Sequence, residues 1–229
     1  MTLEQAFRDL NIVQDFIPRT HSNRPGRPLT PTHVTIHNTG NPKPGADAAA
    51  HARYVKSADA QRRQVSWHYT VDDRAIYQSL PVNEVGWHAG QGNSKSIGIE
   101  ICMHRGMDED AAYDRAALLV AVLLHQNGIP LRGRVVQHNH WTGKNCPIVL
   151  RNGNGWDGFL AKVSAAYAAL RSATPAAARA SQAIALTQPG GNDDCDVLNS
   201  AAPVGSARGR VKARKASAKK TKSKARKRR

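Results

Sequence analysis

Residues 96–128, "SIGIEICMHRGMDEDAAYDRAALLVAVLLHQNG", place a short apolar strand directly before a long apolar helix. The three isoleucines of the strand alternate with other residues and therefore share one face of a sheet, while Glu100 points to the opposite face. The helix begins among acidic residues and ends at Gly128. Its apolar surface is so wide that we expect it to be buried against the sheet.

Strands and helices are interleaved along the rest of the chain. Strands are predicted at 33–40, 65–73, 74–81 (the hairpin partner of 65–73) and 133–138, and helices at 46–58 and 156–173. Residues 1–30 are expected to cross the surface as a turn-rich entry segment. The pattern predicts an α/β fold, a single domain with a central mixed β-sheet flanked by helices.

The net charge of +16 is distributed unevenly. Residues 205–229 contain thirteen Lys or Arg and no acid, which leaves +3 for residues 1–204. We therefore predict a folded domain over 1–171, a low-complexity linker over 172–204 and a disordered basic tail over 205–229. The near-neutral domain argues against a protein whose main role is DNA binding, and its function must be sought in its sites.

Three candidate zinc ligands stand at the ends of predicted strands or shortly after them. His37 and His138 each end a strand, and Cys146 follows eight residues after His138. Two imidazoles and a thiolate suit zinc and leave a fourth position for water. Isolated histidines are more often ordinary core or surface residues, so the residues alone also allow a basic nucleic-acid loop or an accident of composition.

Four blocks carry a family resemblance: "VTIHNTG", "VSWHYTVDDRAIYQSLP", "NEVGWHAGQGNSKSIGIEIC" and "HNHWTGKNCP". In order and spacing, over about residues 30–152, they resemble the motifs of the zinc-dependent N-acetylmuramoyl-L-alanine amidases (amidase type 2). That family includes phage endolysins, bacterial autolysins and peptidoglycan-recognition proteins. The motif sequences are most similar to those of phage endolysins and prophage autolysins. The resemblance implies a cell-wall hydrolase that cleaves the bond between N-acetylmuramic acid and L-alanine in peptidoglycan.

The same resemblance implies that His37, His138 and Cys146 hold Zn²⁺, which activates water for attack on the amide. Lys144, two residues before Cys146, is placed to stabilise the oxyanion. Glu100 is the predicted general base, since it is the single acid of its strand; the alternative is an edge carboxylate that meets solvent or an arginine. Some family members use a tyrosine as the base. The corresponding position here holds Trp67, which favours Glu100.

Three further residues are candidates for substrate binding. His68 lies on a predicted strand, and His88 and Trp87 lie in "GWHAG", which resembles a loop that lines the substrate groove of the family. For the histidines the alternative is a buried, hydrogen-bonded side chain, and for Trp87 it is a half-buried aromatic side chain. The peptidoglycan substrate is the main predicted partner. The tail is expected to bind an anionic envelope polymer or nucleic acid without sequence specificity.

Two other functions remain open from the sequence: a non-catalytic peptidoglycan-binding module and a cytosolic amidase that recycles wall fragments. The presence of Cys146 favours the enzyme over the binding module. No signal peptide or transmembrane run is visible, and three cysteines do not make a disulfide framework. We therefore expect a monomer that stays in the cytoplasm until it is released to the wall, or that leaves by a non-Sec route.

Overall fold

The computed structural model describes residues 1–173 of the 229-residue chain. Six strands are present in this part: β1 Ile12–Gln14, β2 His33–Asn38, β3 Tyr69–Val71, β4 Ile76–Gln78, β5 Ser96–Ile101 and β6 Val135–Gln137. The helices are α1 Leu3–Leu10, α2 Ala48–Val55, α3 Ala58–Arg63, α4 Glu109–Gln126, α5 His138–Thr142, α6 Ile148–Asn152 and α7 Trp156–Ala173. The predicted tail and all but the first two residues of the predicted linker lie outside the described residues.

The six strands form one mixed sheet in the order β1-β4-β3-β5-β2-β6. All neighbours are parallel except β3 and β4, which form the predicted antiparallel hairpin. Asp72 closes this hairpin, since its carboxylate accepts hydrogen bonds from the N–H groups of Arg74 and Ala75. The predicted central mixed sheet with flanking helices is confirmed.

The apolar face of the sheet packs against α4. The side chain of Asp108 caps this helix by accepting the N–H of Ala111, and the isoleucines of β5 are completely buried in the same core as the helix. The helices α1 and α7 pack beside α4. This arrangement confirms the strand and helix predicted over 96–128 and turns Glu100 away from the core.

The opposite face is covered by α2 and a smaller apolar cluster. Val55 of α2 packs with Ile17, Trp67 and Leu80, all of them buried. This second layer leaves part of the sheet uncovered at the carboxyl ends of β2 and β5. Ligand sites of parallel sheets occur at such strand ends.

The prediction for the amino-terminal segment is wrong. Residues 1–30 contain α1, capped by Thr2, and the edge strand β1, which pairs in parallel with β4. Ala6 and Leu10 bury one face of α1 in the main core. The strand β1 is only three residues long and is held by its pairing with β4, so its own sequence shows almost no strand pattern.

Two other predicted segments are divided differently by the structure. The helix expected over 46–58 ends at Val55, and Ser57 caps a separate helix, α3, by accepting the N–H of Ala60. Regular strand structure within 65–73 is limited to β3. In residues 1–173, no helix is long and apolar enough to span a membrane.

Candidate metal centre

Three metal-binding side chains meet at the uncovered end of the sheet. One donor atom from each of His37, His138 and Cys146 lies within 4.8 Å of the others. The side chains come from the end of β2, the start of α5 and the loop after α5. All three residues are buried, with 1%, 8% and 5% of their surface exposed. Among the described residues they form the one such group of His, Cys, Asp or Glu.

Burial is the largest influence on the pKa values of the three donors. Burial lowers the pKa of His37 well below its usual value, and nearby His88 and His138 lower it further. Burial also lowers the pKa of His138 and raises the pKa of the Cys146 thiol to about 11. The Nδ1 atom of His138 is buried and has no hydrogen-bond partner within residues 1–173. An unpartnered imidazole nitrogen and a thiol in one buried cluster fit a soft-to-borderline cation.

Glu100 stands beside this cluster because of strand register. It pairs with His37 across the parallel strands β2 and β5, and its Oε1 lies 3.8 Å from Nδ1 of His37. Burial raises the pKa of the Glu100 carboxyl to about 7, and the positive charge of Lys144 opposes the rise. Its Oε2 is buried without a partner in the described part of the chain. Such a carboxyl can hold or release a proton near neutral pH.

The segment that carries Cys146 begins with a short helix. Residues 138–142 form the helix α5, which ends at Gly143 with φ of 75°. The side-chain amide of Asn139 donates to the carbonyls of Gly143 and Lys144, and its backbone N–H donates to the carbonyl of Cys146. These bonds fold the segment back on itself, so that Lys144 and Cys146 both face the groove.

Three further contacts tie the donor segments to the sheet. The Asn38 side chain accepts the N–H of Val149, and the backbone N–H of Asn38 donates towards the Cys146 sulfur and so lowers the pKa of that thiol. The indole N–H of Trp141, on α5, donates to Thr35 of β2 over 2.8 Å. The donor from β2 and the donors from the later segment are therefore held by direct hydrogen bonds between their own elements.

The cluster opens into a groove with a volume of about 560 Å³. One wall is built by α2 and the segment that follows it, and includes His51, Tyr54 and Arg63; the other follows the end of β2 and the Cys146 loop. The residues of α2 and α3 in this wall were not anticipated from the sequence, because no local pattern places a helix residue on a groove. Residues 39–41 also line the groove. Their place at the site could have been predicted from the sequence, since they follow the carboxyl end of a parallel strand.

The sequence model of the N-acetylmuramoyl-L-alanine amidase family matches residues 26–148. The chain belongs to this family. It is 49% identical over 158 residues to the amidase XlyA of Bacillus subtilis, covering 67% of this chain and 51% of XlyA. It is also 43% identical over 185 residues to the amidase CwlH of the same organism, covering 79% of this chain and 72% of CwlH. The chain thus spans about half the length of XlyA and most of CwlH.

Solved structures agree with the family membership. The catalytic domain of XlyA superposes with a TM-score of 0.62 at 49% sequence identity, over 67% of this chain and 99% of that domain. A mutant endolysin from Bacillus subtilis superposes with a TM-score of 0.63 at 47% identity over the same shares of the two chains. The described domain therefore has the fold of amidase catalytic domains, and the predicted similarity to endolysins is confirmed.

The structure places the three candidate substrate-binding residues in different environments. Trp87 and His88 both line the groove, and His88 also contacts His37. His68 is completely buried: its Nδ1 accepts the N–H of Gly98 and its Nε2 donates to the carbonyl of Glu84. Burial lowers the pKa of His68 to about 4. With both nitrogens hydrogen-bonded to backbone groups, His68 matches the alternative of a buried, hydrogen-bonded side chain.

Proposed function

We propose that this chain hydrolyses the amide bond between N-acetylmuramic acid and L-alanine in peptidoglycan. The observation that carries the proposal is the meeting of His37, His138 and Cys146 beside Glu100, in a groove of an N-acetylmuramoyl-L-alanine amidase fold. A complete donor set next to a carboxyl of raised pKa supports an enzyme over a non-catalytic peptidoglycan-binding module.

We infer that His37, His138 and Cys146 hold Zn²⁺. Two imidazoles and one sulfur are typical of catalytic zinc sites with three protein ligands. A cation would favour the thiolate form of Cys146, whose pKa burial otherwise raises to about 11, and would give the unpartnered His138 ring a partner. When bound, zinc would supply Lewis-acid chemistry, acidifying a water molecule and polarising the scissile carbonyl.

In this proposal Glu100 is the general base. Its carboxyl lines the same groove as the donors, and its pKa of about 7 suits it both to accept a proton from the attacking water and to pass that proton on to the leaving amine. The unpartnered Oε2 leaves one carboxylate oxygen available for a hydrogen bond to water. Because strand register holds Glu100 beside His37, the base is positioned without a flexible loop.

Lys144 is proposed to stabilise the negative charge that develops on the carbonyl oxygen. It is exposed at the groove, and its charge acts on the pKa values of His37, His138 and Glu100, so the ammonium group lies near all of them. A fixed positive charge near the developing oxyanion lowers the free energy of the transition state more than that of the bound substrate.

The decisive experiment is digestion of purified sacculi with the full chain, with and without a chelator, followed by mass spectrometry of the released ends. We expect new free amino groups on L-alanine and new free carboxyl groups on muramic acid. Both should appear only when the metal is present. New reducing sugar ends, or cleavage between amino acids of the stem peptide, would show a different bond specificity. No digestion at all by zinc-loaded protein would refute the hydrolase.

We also propose that the basic tail, residues 205–229, attaches the enzyme to the anionic polymers of the envelope. Its thirteen Lys or Arg without an acid bind polyanions through charge and counterion release, and it has no aromatic residue for reading bases. A full-length variant with all thirteen replaced by Gln should lose most of its sedimentation with envelopes at low salt, while high salt releases the native chain. Unchanged sedimentation of the variant would refute envelope attachment. Retention by DNA alone would identify nucleic acid as the tail's partner.

A further inference from the structure

We propose that His88 is a positioning residue that sets the tautomer of the His37 ring, so that the ring presents a bare Nδ1 to the metal. The inference rests on the proposed role of His37 as a ligand. It assigns to His88 a contact with a side chain of the protein in addition to any contact with substrate.

The carbonyl of Ser96 determines which nitrogen of His88 carries the proton. His88 Nε2 lies 3.3 Å from this oxygen, and a carbonyl oxygen can only accept, so Nε2 is the N–H. The opposite tautomer would direct a lone pair at the carbonyl oxygen. A neutral ring that carries its proton on Nε2 has a bare Nδ1, which can accept a hydrogen bond.

The bare Nδ1 of His88 in turn determines the state of His37. The Nε2 atom of His37 lies 3.1 Å from it and must donate the hydrogen of that bond. His37 then has its own Nδ1 bare. That atom faces the cluster, 3.8 Å from the Cys146 sulfur. Metal-binding histidines typically donate their second ring N–H to a partner that orients the ring, and here the partner is another imidazole.

The surroundings of His88 are built to hold this ring in place. The side-chain oxygen of Asn93 accepts the backbone N–H groups of His88 and Ala89, at 2.9 and 2.7 Å. Position 98 on β5 is a glycine, and a Cβ there would lie 2.7 Å from atoms of the His88 ring. Because Gly98 and Glu100 lie on the same face of β5, the missing side chain provides the space that the ring occupies.

The test compares two substitutions in the full-length chain. His88→Asn keeps a hydrogen-bond acceptor near the position of Nδ1, whereas His88→Leu keeps bulk but removes it. Zinc affinity is measured by competition with a chromophoric chelator. We expect a loss of about 10- to 100-fold for His88→Leu and near-native affinity for His88→Asn. Gln91→Ala, an exposed change in the same loop, should match the native chain.

A second readout does not depend on any variant. Long-range ¹H–¹⁵N correlation spectra of the metal-free native chain should show the Nε2–H tautomer for both His37 and His88. An Nδ1–H tautomer at either ring would overturn the proposal, as would native zinc affinity in a folded His88→Leu chain. Failure of the native chain itself to bind zinc would instead refute the proposed metal centre, so the two failures are distinguishable.

Discussion

His37 and Glu100 occupy the same register position on two adjacent parallel strands, with His37 Nδ1 and Glu100 Oε1 3.8 Å apart. They are 63 residues apart in the chain, and the pairing of β2 with β5 alone makes them neighbours. A proposed ligand and the proposed base are thus held by backbone hydrogen bonds of one sheet. This rigidity separates their roles experimentally, because either side chain can be changed without moving the strand that carries the other.

Replacing Glu100 with Gln should preserve zinc binding and fold while lowering kcat by about 10²- to 10⁴-fold, the usual contribution of a positioned general base. Gln has nearly the same size as Glu but cannot take a proton from water near neutral pH. Zinc content is measured by elemental analysis and kcat with a soluble muramyl peptide. Glu109→Gln, at the exposed start of α4, provides a matched control that should retain native kcat. Native kcat in Glu100→Gln would assign the base to another group.

Cys146→Ala should lose zinc and, with it, activity. Removing one of three ligands should weaken affinity by more than about 100-fold, because even residues behind the ligands change it by 10- to 100-fold. The matched control is Cys102→Ala: Cys102 directly follows β5, is completely buried with its sulfur 3.9 Å from Nδ1 of His51, and does not belong to the group of three donors. Zinc per chain is the measurement. Stoichiometric zinc in purified Cys146→Ala would exclude Cys146 from the ligand set.

Lys144→Ala should lower kcat by about 100-fold and change KM much less, since the proposed contact is with charge that exists only in the transition state. Steady-state kinetics at saturating and limiting substrate separate the two parameters. Lys162→Ala removes a lysine of α7 that pairs with Asp114 and lies away from the groove, so its kinetics should be native. A raised KM with native kcat would make Lys144 a substrate-binding residue.

Arg24→Ala should destabilise the fold by about 3 kcal/mol, because it leaves a buried carboxylate unpaired. Arg24 makes two hydrogen bonds to Glu84, of 2.8 and 2.6 Å, and the side chains are only 6% and 13% exposed. Arg19 also approaches Glu84, at 3.8 Å, but is 85% exposed, so Arg19→Ala should cost less than about 0.5 kcal/mol. Urea unfolding monitored by circular dichroism measures both, and equal effects would contradict this assignment.

The same pair predicts the direction of an acid effect. The hydrogen bonds from Arg24 lower the pKa of Glu84, against the opposing effect of burial. A group whose pKa is lowered by folding contributes stability above its unfolded pKa, and that stability is lost as the pH falls through the lowered value. Acid should therefore destabilise the native chain more than Arg24→Ala. If the difference in unfolding free energy between the native chain and Arg24→Ala stayed constant across the acid range, this prediction would be contradicted.

Elements whose signals are local could be predicted from the amino-acid sequence. The capped apolar run of α4 and the alternation of β5 need only neighbouring residues to be recognised, and the four motif blocks identified the family and the residues that meet at the cluster. The helix α1 had a local signal as well, since Thr2 caps it and Ala6 and Leu10 lie on one face, but the turn-rich residues after it obscured that pattern.

The residues that surround the cluster could not be predicted in this way, because they are brought together by folding. The groove wall formed by His51 and Tyr54, the burial of His68 and the bond between His88 and His37 all join segments that are distant in the chain. Parallel strand pairing and helix packing carry no register in the local sequence, because the partner residues are chosen by burial across the whole sheet. The chemistry of the donors could be read from residue types, whereas their orientation depends on bonds that exist only after folding.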